Sequence, residues 1–184
     1  MTNRVLVFLI LLLPLAFLNS CSVFKFAKIY SSSDKENGKL FGDVYKKSST
    51  SYKIGELKSD WKRVNIDYGD IFFTNKDKNA AITVNSTCET SKVNYSLSAL
   101  SGSLLIGIKE KKLIGRDVIS IDDEEALLSV YNAGVEGDKL KIATVVFTKN
   151  ECIYDFSYSN ISNNFDLYYN DFIEFLEEFR VLEG

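Results

Sequence analysis

Of the side chains that commonly do acid–base work near neutral pH, histidine is absent from this sequence. Without it there is no Ser–His or Cys–His nucleophilic pair, and the commonest general base is missing. Ser101-Gly102-Ser103 lacks the Gly-x-Ser-x-Gly frame and falls inside a predicted helix, where small side chains permit close packing on a sheet. Asp122-Asp123-Glu124-Glu125 is the densest acidic run, but its spacing fits no EF-hand loop. Between two strand patterns it reads as a solvated turn, so no metal is expected there. Gly134 and Gly137 flank another turn and form no phosphate-cradling loop. Ten Tyr and thirteen Phe remain. Most sit at core-facing positions, while Tyr158, Tyr168 and Tyr169 are candidates to line a ligand cleft between a sheet and the C-terminal helix. These residues argue against an enzyme and call for no cofactor.

The three cysteines have different prospects. Cys21 ends the segment Leu18-Asn19-Ser20-Cys21, behind Arg4 and an apolar run from Val5 to Leu18 that Pro14 interrupts. A basic start, a short apolar middle and a small-residue cleavage site make a secretory signal, and the run is short for a membrane span. The last four residues resemble the lipobox of bacterial lipoproteins, in which the cysteine thiol is lipidated and the peptide is cut before it. An ordinary cleaved signal is the alternative. The resemblance implies a signal peptide over 1–20 and a lipid anchor on Cys21. Ser22 stands where Asp would signal inner-membrane retention, so the expected address is the outer membrane, facing the periplasm. Cys88 and Cys152 are then left as an even pair in an oxidising compartment, which favours a disulfide over two buried free thiols. A zinc site is not expected, because the two thiols lie 64 positions apart with no histidine to help.

Charge is unevenly placed. Residues 22–60 carry eight Lys against five Asp and Glu, whereas residues 61–184 carry thirteen Lys and Arg against twenty Asp and Glu. An acidic folded part is a poor nucleic-acid binder, while a mildly basic leader suits anionic head groups. With 46% hydrophobic residues the chain can bury a sizeable core. Residues 21–60, rich in Ser and Lys and without sustained apolar period, read as a flexible tether with at most a short adherent strand or turn near Leu40–Tyr45. Residues 61–184 form the folded domain.

Within that domain, period-two patterns predict strands over Trp61–Ile66, Ile71–Thr74 and Ala80–Val84. Leu97, Leu100, Leu104 and Ile108 then recur at three and four, which predicts a helix capped by Ser96 and ended by Gly107. Four further strands are predicted over Lys112–Asp122, Ala126–Asn132, Leu140–Thr148 and Cys152–Tyr158. A final helix follows over Asn164–Leu182, its stripe made by Phe165, Tyr168, Tyr169, Phe172, Leu176 and Phe179. Short turns require antiparallel neighbours, and two amphipathic helices must cover the sheet. The expected class is α+β, a twisted antiparallel sheet of about six to seven strands with two packed helices.

This order, with Tyr154-Asp155-Phe156-Ser157-Tyr158 and the helix ending Phe172-Ile173-Glu174-Phe175-Leu176-Glu177-Glu178-Phe179-Arg180, resembles the PsbP/DcrB-like fold. More narrowly, Cys88 and Cys152-Ile153-Tyr154-Asp155 are similar to segments of uncharacterised Gram-negative lipoproteins of deltaproteobacterial type. The resemblance spans residues 61–182 and assigns no catalytic residues. Together these readings predict a non-enzymatic envelope lipoprotein, a binding or accessory module with a protein partner. The alternative is a carrier of a small apolar ligand or lipid in a pocket beside the C-terminal helix.

Overall fold

Alternation of apolar and polar residues persists longest between Ile71 and Ile161, and there the chain builds its main sheet. The structure, a computed structural model, describes residues 38–65, 69–75, 80–88 and 95–182. The predicted signal over 1–20, Cys21 and the tether as far as residue 37 lie outside the described residues. Strands β4 (Lys62–Arg63), β5 (Ile71–Asn75), β6 (Ala80–Cys88), β7 (Glu110–Ile121), β8 (Glu124–Val135), β9 (Asp138–Lys149) and β10 (Cys152–Ile161) form one antiparallel sheet. Their spatial order is β4-β5-β6-β10-β9-β8-β7. Helix α1 (Leu97–Ser103) intervenes between β6 and β7, and α2 (Phe165–Glu177) follows β10 after a 3₁₀ turn.

The hairpin turns explain the tight succession of β7 to β10. Asp122-Asp123, Glu136-Gly137 and Asn150-Glu151 are two-residue loops with φ of 51° and 66°, 52° and 93°, and 52° and 62°. Positive φ at both central positions is the type I′ arrangement, whose twist matches the flanking strands. Asp, Asn and Gly tolerate that conformation better than other residues, which is why these loops were legible as turns.

Both sheet faces are covered. On the first, Ala143, Val145 and Phe147 of β9, Phe156 and Tyr158 of β10 and Ile82 of β6 pack with Phe165, Phe172, Phe175 and Leu176 of α2. On the second, Tyr131, Ala133, Ile142 and Phe72 pack with Leu105 and Ile108, which follow α1. The second face also carries a transverse row of buried hydroxyls, Ser129, Thr144, Ser157 and Thr83, in register across β8, β9, β10 and β6. Thr83 and Ser157 hydrogen-bond at 2.6 Å, and Ser101 of α1 donates to Ser129 Oγ at 3.0 Å. The buried Ser101 therefore docks α1 on the sheet, as expected of a small residue there. Gly102 is different: a Cβ on it would meet nothing, so it makes no close approach. Ser96 caps α1 by accepting from Ala99 N–H at 3.2 Å.

Three sequence expectations need correction. Residues 38–60 are not a tether: β1 (Lys39–Phe41), β2 (Val44–Lys46) and β3 (Ser51–Lys53) fold onto the domain and bury Tyr45 and Tyr52. The short adherent strand or turn expected near Leu40–Tyr45 is there as β1, its turn and β2; strands of three residues are too short for their alternation to stand out, and the burial of Tyr45 and Tyr52 shows that they belong to the domain. The final helix ends at Glu177 rather than at residue 182; β11 (Arg180–Leu182) then pairs with β3, giving a second sheet of order β1-β2-β3-β11. Phe179, expected on the helical stripe, sits fully buried at that corner. Finally, the strand expected over Trp61–Ile66 is reduced to Lys62–Arg63, and Ile66 lies outside the described residues.

Candidate functional site

The small sheet meets the main one through a buried carboxylate. Tyr45 and Tyr52 are register partners on β2 and β3, with ring centroids 5.1 Å apart. Their hydroxyls donate to Asp70, just before β5, at 3.0 Å and 2.8 Å. Ser86 Oγ donates to the same carboxylate, and Lys47 Nζ lies 3.3 Å from Asp70 Oδ1 with both side chains almost wholly buried. Burial is the largest influence on Asp70 and raises its carboxyl above the ordinary value; Lys47, Ser86, Tyr52 and Tyr45 pull it back without cancelling the rise. Burial, then the Asp70 charge, pushes the Tyr52 phenol well up. Such a perturbed group in an open cleft would suggest catalysis. Here the side chain is sealed, and its partners come from β2, β3, β6 and the turn after β2. The arrangement fixes the small sheet in place.

Beside this joint lies an open groove of about 790 Å³. Its floor is apolar, made by Leu40, Ile54, Leu57, Trp61 and Phe73; its rim carries Asp43, Lys53, Glu56, Arg63, Glu178 and Arg180. Three acidic and three basic rim residues balance, so the groove favours no single sign of charge. The segment between β3 and β4 forms one wall and is pinned to α2. Trp61 Nε1 donates to Asp171 Oδ2 at 3.0 Å, Lys58 Nζ meets Asp171 Oδ1 at 2.5 Å, and Glu56 N–H donates to Glu178 Oε2 at 2.8 Å. Gly55 is required: a Cβ there would stand 2.3 Å from the Phe175 carbonyl oxygen. Most of these lining residues lie in segments that carry no regular period. Sequence reading missed the groove, and Trp61 followed by a charged alternation was its only signal.

The residues singled out from sequence fare unequally. Cys88 and Cys152 are disulfide-bonded, directly opposite each other on β6 and β10 with Cα atoms 4.1 Å apart. Tyr158 does not line a cleft between sheet and helix, and Tyr168 and Tyr169 are half-buried and packed against neighbouring rings. Tyr158 is fully buried, donates to the Phe165 carbonyl at 2.7 Å and stacks on Phe172 at 5.6 Å. Burial accordingly drives its hydroxyl far above the ordinary phenol value. Tyr169 stacks on Phe165 at 5.1 Å, and Tyr168 stands edge-on to Trp61 at 5.9 Å. The space imagined for a ligand is filled by rings. The acidic turn is corrected too. Asp122 is not simply solvated: its carboxylate accepts from Lys149 Nζ at 2.8 Å and from Val181 N–H at 3.0 Å. Among the described residues no group of His, Cys, Asp and Glu is arranged to hold a metal ion.

The chain has an α+β fold, a seven-stranded antiparallel sheet with α2 across one face and α1 on the other, and in fold it is similar to PsbP. Several solved structures carry the likeness. Cyanobacterial PsbP from Synechocystis sp. PCC 6803 superposes with a TM-score of 0.59 at 14% identity, over 79% of this chain and 98% of that one. LpqN, described as involved in cell envelope biogenesis of Mycobacterium tuberculosis, gives a TM-score of 0.59 at 12% identity, over 80% and 91%. No protein-family model and no curated protein sequence matches the chain.

Proposed function

We propose that this chain is a non-enzymatic accessory lipoprotein of the cell envelope, anchored through Cys21 to the periplasmic face of the outer membrane, that docks a segment of an envelope protein. The observation that carries the docking role is the groove of about 790 Å³, apolar in its floor and ringed by charges of both signs. A polypeptide segment offers apolar side chains and charges at matching separation, whereas a small apolar ligand leaves such a rim unused. The buried titratable groups at the joint are consumed in holding the small sheet, which leaves the domain a binding rather than a catalytic character. Support for the envelope comes from the Leu18–Cys21 segment and from the similarity to LpqN, which is described as involved in cell envelope biogenesis. The carrier alternative has lost its best support, because Tyr158 and its neighbours close the space it needed.

Anchor and groove are tested separately. Radiolabelled palmitate is expected to enter the wild type and not Cys21→Ser; equal label in both removes the anchor. For the groove, tagged wild type and a Leu57→Asp/Arg63→Glu variant are purified from detergent-solubilised envelopes. The docking reading expects one protein enriched by the wild type and lost from the variant, with thermal unfolding showing both folded. Identical recoveries reject it.

A further inference from the structure

Among the described residues, one edge of the main sheet is long and bare. β7 pairs only with β8 among the described strands, and of its twelve residues Ile121 alone is buried. Leu113, Ile114 and Val118, at 42%, 46% and 63% exposure, are three of the large apolar side chains most open to solvent. An unpaired strand edge is a template for another strand, and proteins usually blunt it. A bulge does interrupt β7: the pairing with β8 shifts between Leu113 and Gly115, leaving Ile114 extra. Bulges ordinarily discourage further pairing. This one divides the strand into two regular halves whose chemistry is mutually complementary.

Register with β8 assigns each half its faces. Lys112, Asp117 and Ile119 share the first face, opposite Asn132, Leu128 and Ala126; Lys111, Leu113, Arg116 and Val118 share the second, opposite Ala133, Tyr131, Ser129 and Leu127. We propose that two copies of the chain associate β7 to β7, antiparallel, about a two-fold axis passing between Ile114 and Gly115. In that register Lys112 faces Asp117 of the second copy, and symmetry makes the ion pair twice. Lys111 lays its aliphatic stem over Val118 of the second copy, and Leu113 packs under the stem of Arg116. Every facing pair lies on a common face only because each strand carries one extra residue at Ile114. Without the bulge, an odd-sum register would set each side chain against one pointing the other way. Hydrogen-bonding direction alternates with side-chain face, so the outward N–H and C=O groups of the two strands also meet. Neither Lys112 nor Asp117 has an ion-pair partner among the described residues, and Asp117 stands exposed. A second copy is therefore the occupant whose charges fit.

The test is the protein mass of the purified full chain in detergent, by sedimentation with micelle contribution subtracted. Wild type is expected at twice the chain mass, Asp117→Lys at half the wild-type value, and Lys112→Asp/Asp117→Lys back at the dimer, since the swap restores both ion pairs. Should Asp117→Lys fail to fold, Val118→Lys at its exposed position serves the same purpose. A wild type monomeric at its highest soluble concentration overturns the proposal. So does a dimer that survives Asp117→Lys, or a double variant that stays monomeric.

Discussion

At the turn between β7 and β8, four acidic residues stand in a row, yet among the described residues Asp122 alone of the four makes side-chain hydrogen bonds and ion pairs with the rest of the fold. Asp122 Oδ2 accepts from Lys149 Nζ at 2.8 Å and from the Val181 backbone N–H at 3.0 Å, tying the turn to β9 and to β11. Hydrogen bonds to a charged group contribute about 1.5–3 kcal/mol each, less where the partner is partly wet, as Lys149 is. Asp122→Ala is therefore expected to destabilise the domain by about 1–3 kcal/mol, while Asp123→Ala and Glu125→Ala stay near wild type; thermal unfolding decides. Equal melting of all three would return Asp122 to the solvated class. Asp70 and Lys47 invite a different experiment. Removing one partner of a buried pair strands the other, at about 3–5 kcal/mol, so Asp70→Asn is expected to be strongly destabilising. Lys47→Met/Asp70→Asn is expected to recover most of that loss, because the carboxyl is held above its ordinary value, showing that desolvation outweighs its favourable contacts. The pH dependence follows in sign. A carboxyl raised on folding contributes stability that is full below the unfolded value of 3.8 and is lost as pH rises through the folded value. Denaturant unfolding of wild type should thus show a decline above about pH 4 that the double variant lacks. A double variant as unstable as Asp70→Asn would contradict the account.

Among the elements, α2 carries the largest share of the first-face core. Phe172 is wholly buried and Leu176 nearly so, one turn apart on the stripe that meets β10 and β9. Phe172→Ala is expected to cost about 3–5 kcal/mol and Leu176→Ala about 2–5 kcal/mol, read from urea midpoints at constant slope. A Phe172→Ala protein unfolding with wild type would overturn the packing described. The stripe was visible in the sequence because thirteen helical residues repeat it several times. The helix's end was not visible. Phe179 continues the apolar spacing, but it is buried by a turn onto Tyr52, at 5.1 Å between rings, and the chain then leaves as β11. Periodicity reports that a residue is buried and does not report by which element. The same limitation hid the docking of β1, β2 and β3 on the domain, because β3 pairs with β11 far along the chain and Tyr45 and Tyr52 reach Asp70.

For the whole molecule, the Cys88–Cys152 bridge joins residues 64 apart, beside the joint where Tyr154 of β10 and Thr50 hydrogen-bond at 2.7 Å. In the chain-entropy model a loop of that length stabilises by about 4 kcal/mol. Cys88→Ser/Cys152→Ser is expected to melt lower by a corresponding amount while keeping its far-ultraviolet circular dichroism, since the hydrogen-bonded ladder of β6 and β10 persists. Free thiols found by alkylating the unreduced wild type would remove the bridge altogether. What the sequence alone determined about this protein is what local rules write: the strands and turns from β7 to β10, the α2 stripe, the α+β class, and the even pair of cysteines. Tertiary structure decided the rest. It settled that residues 38–60 belong to the domain, that Asp70 is sealed and Asp122 anchored, that Tyr158 is core, and that a groove opens beside Trp61. Each depends on contacts between residues distant in sequence, and a burial pattern with period two or 3.6 records which side chains are covered without naming what covers them.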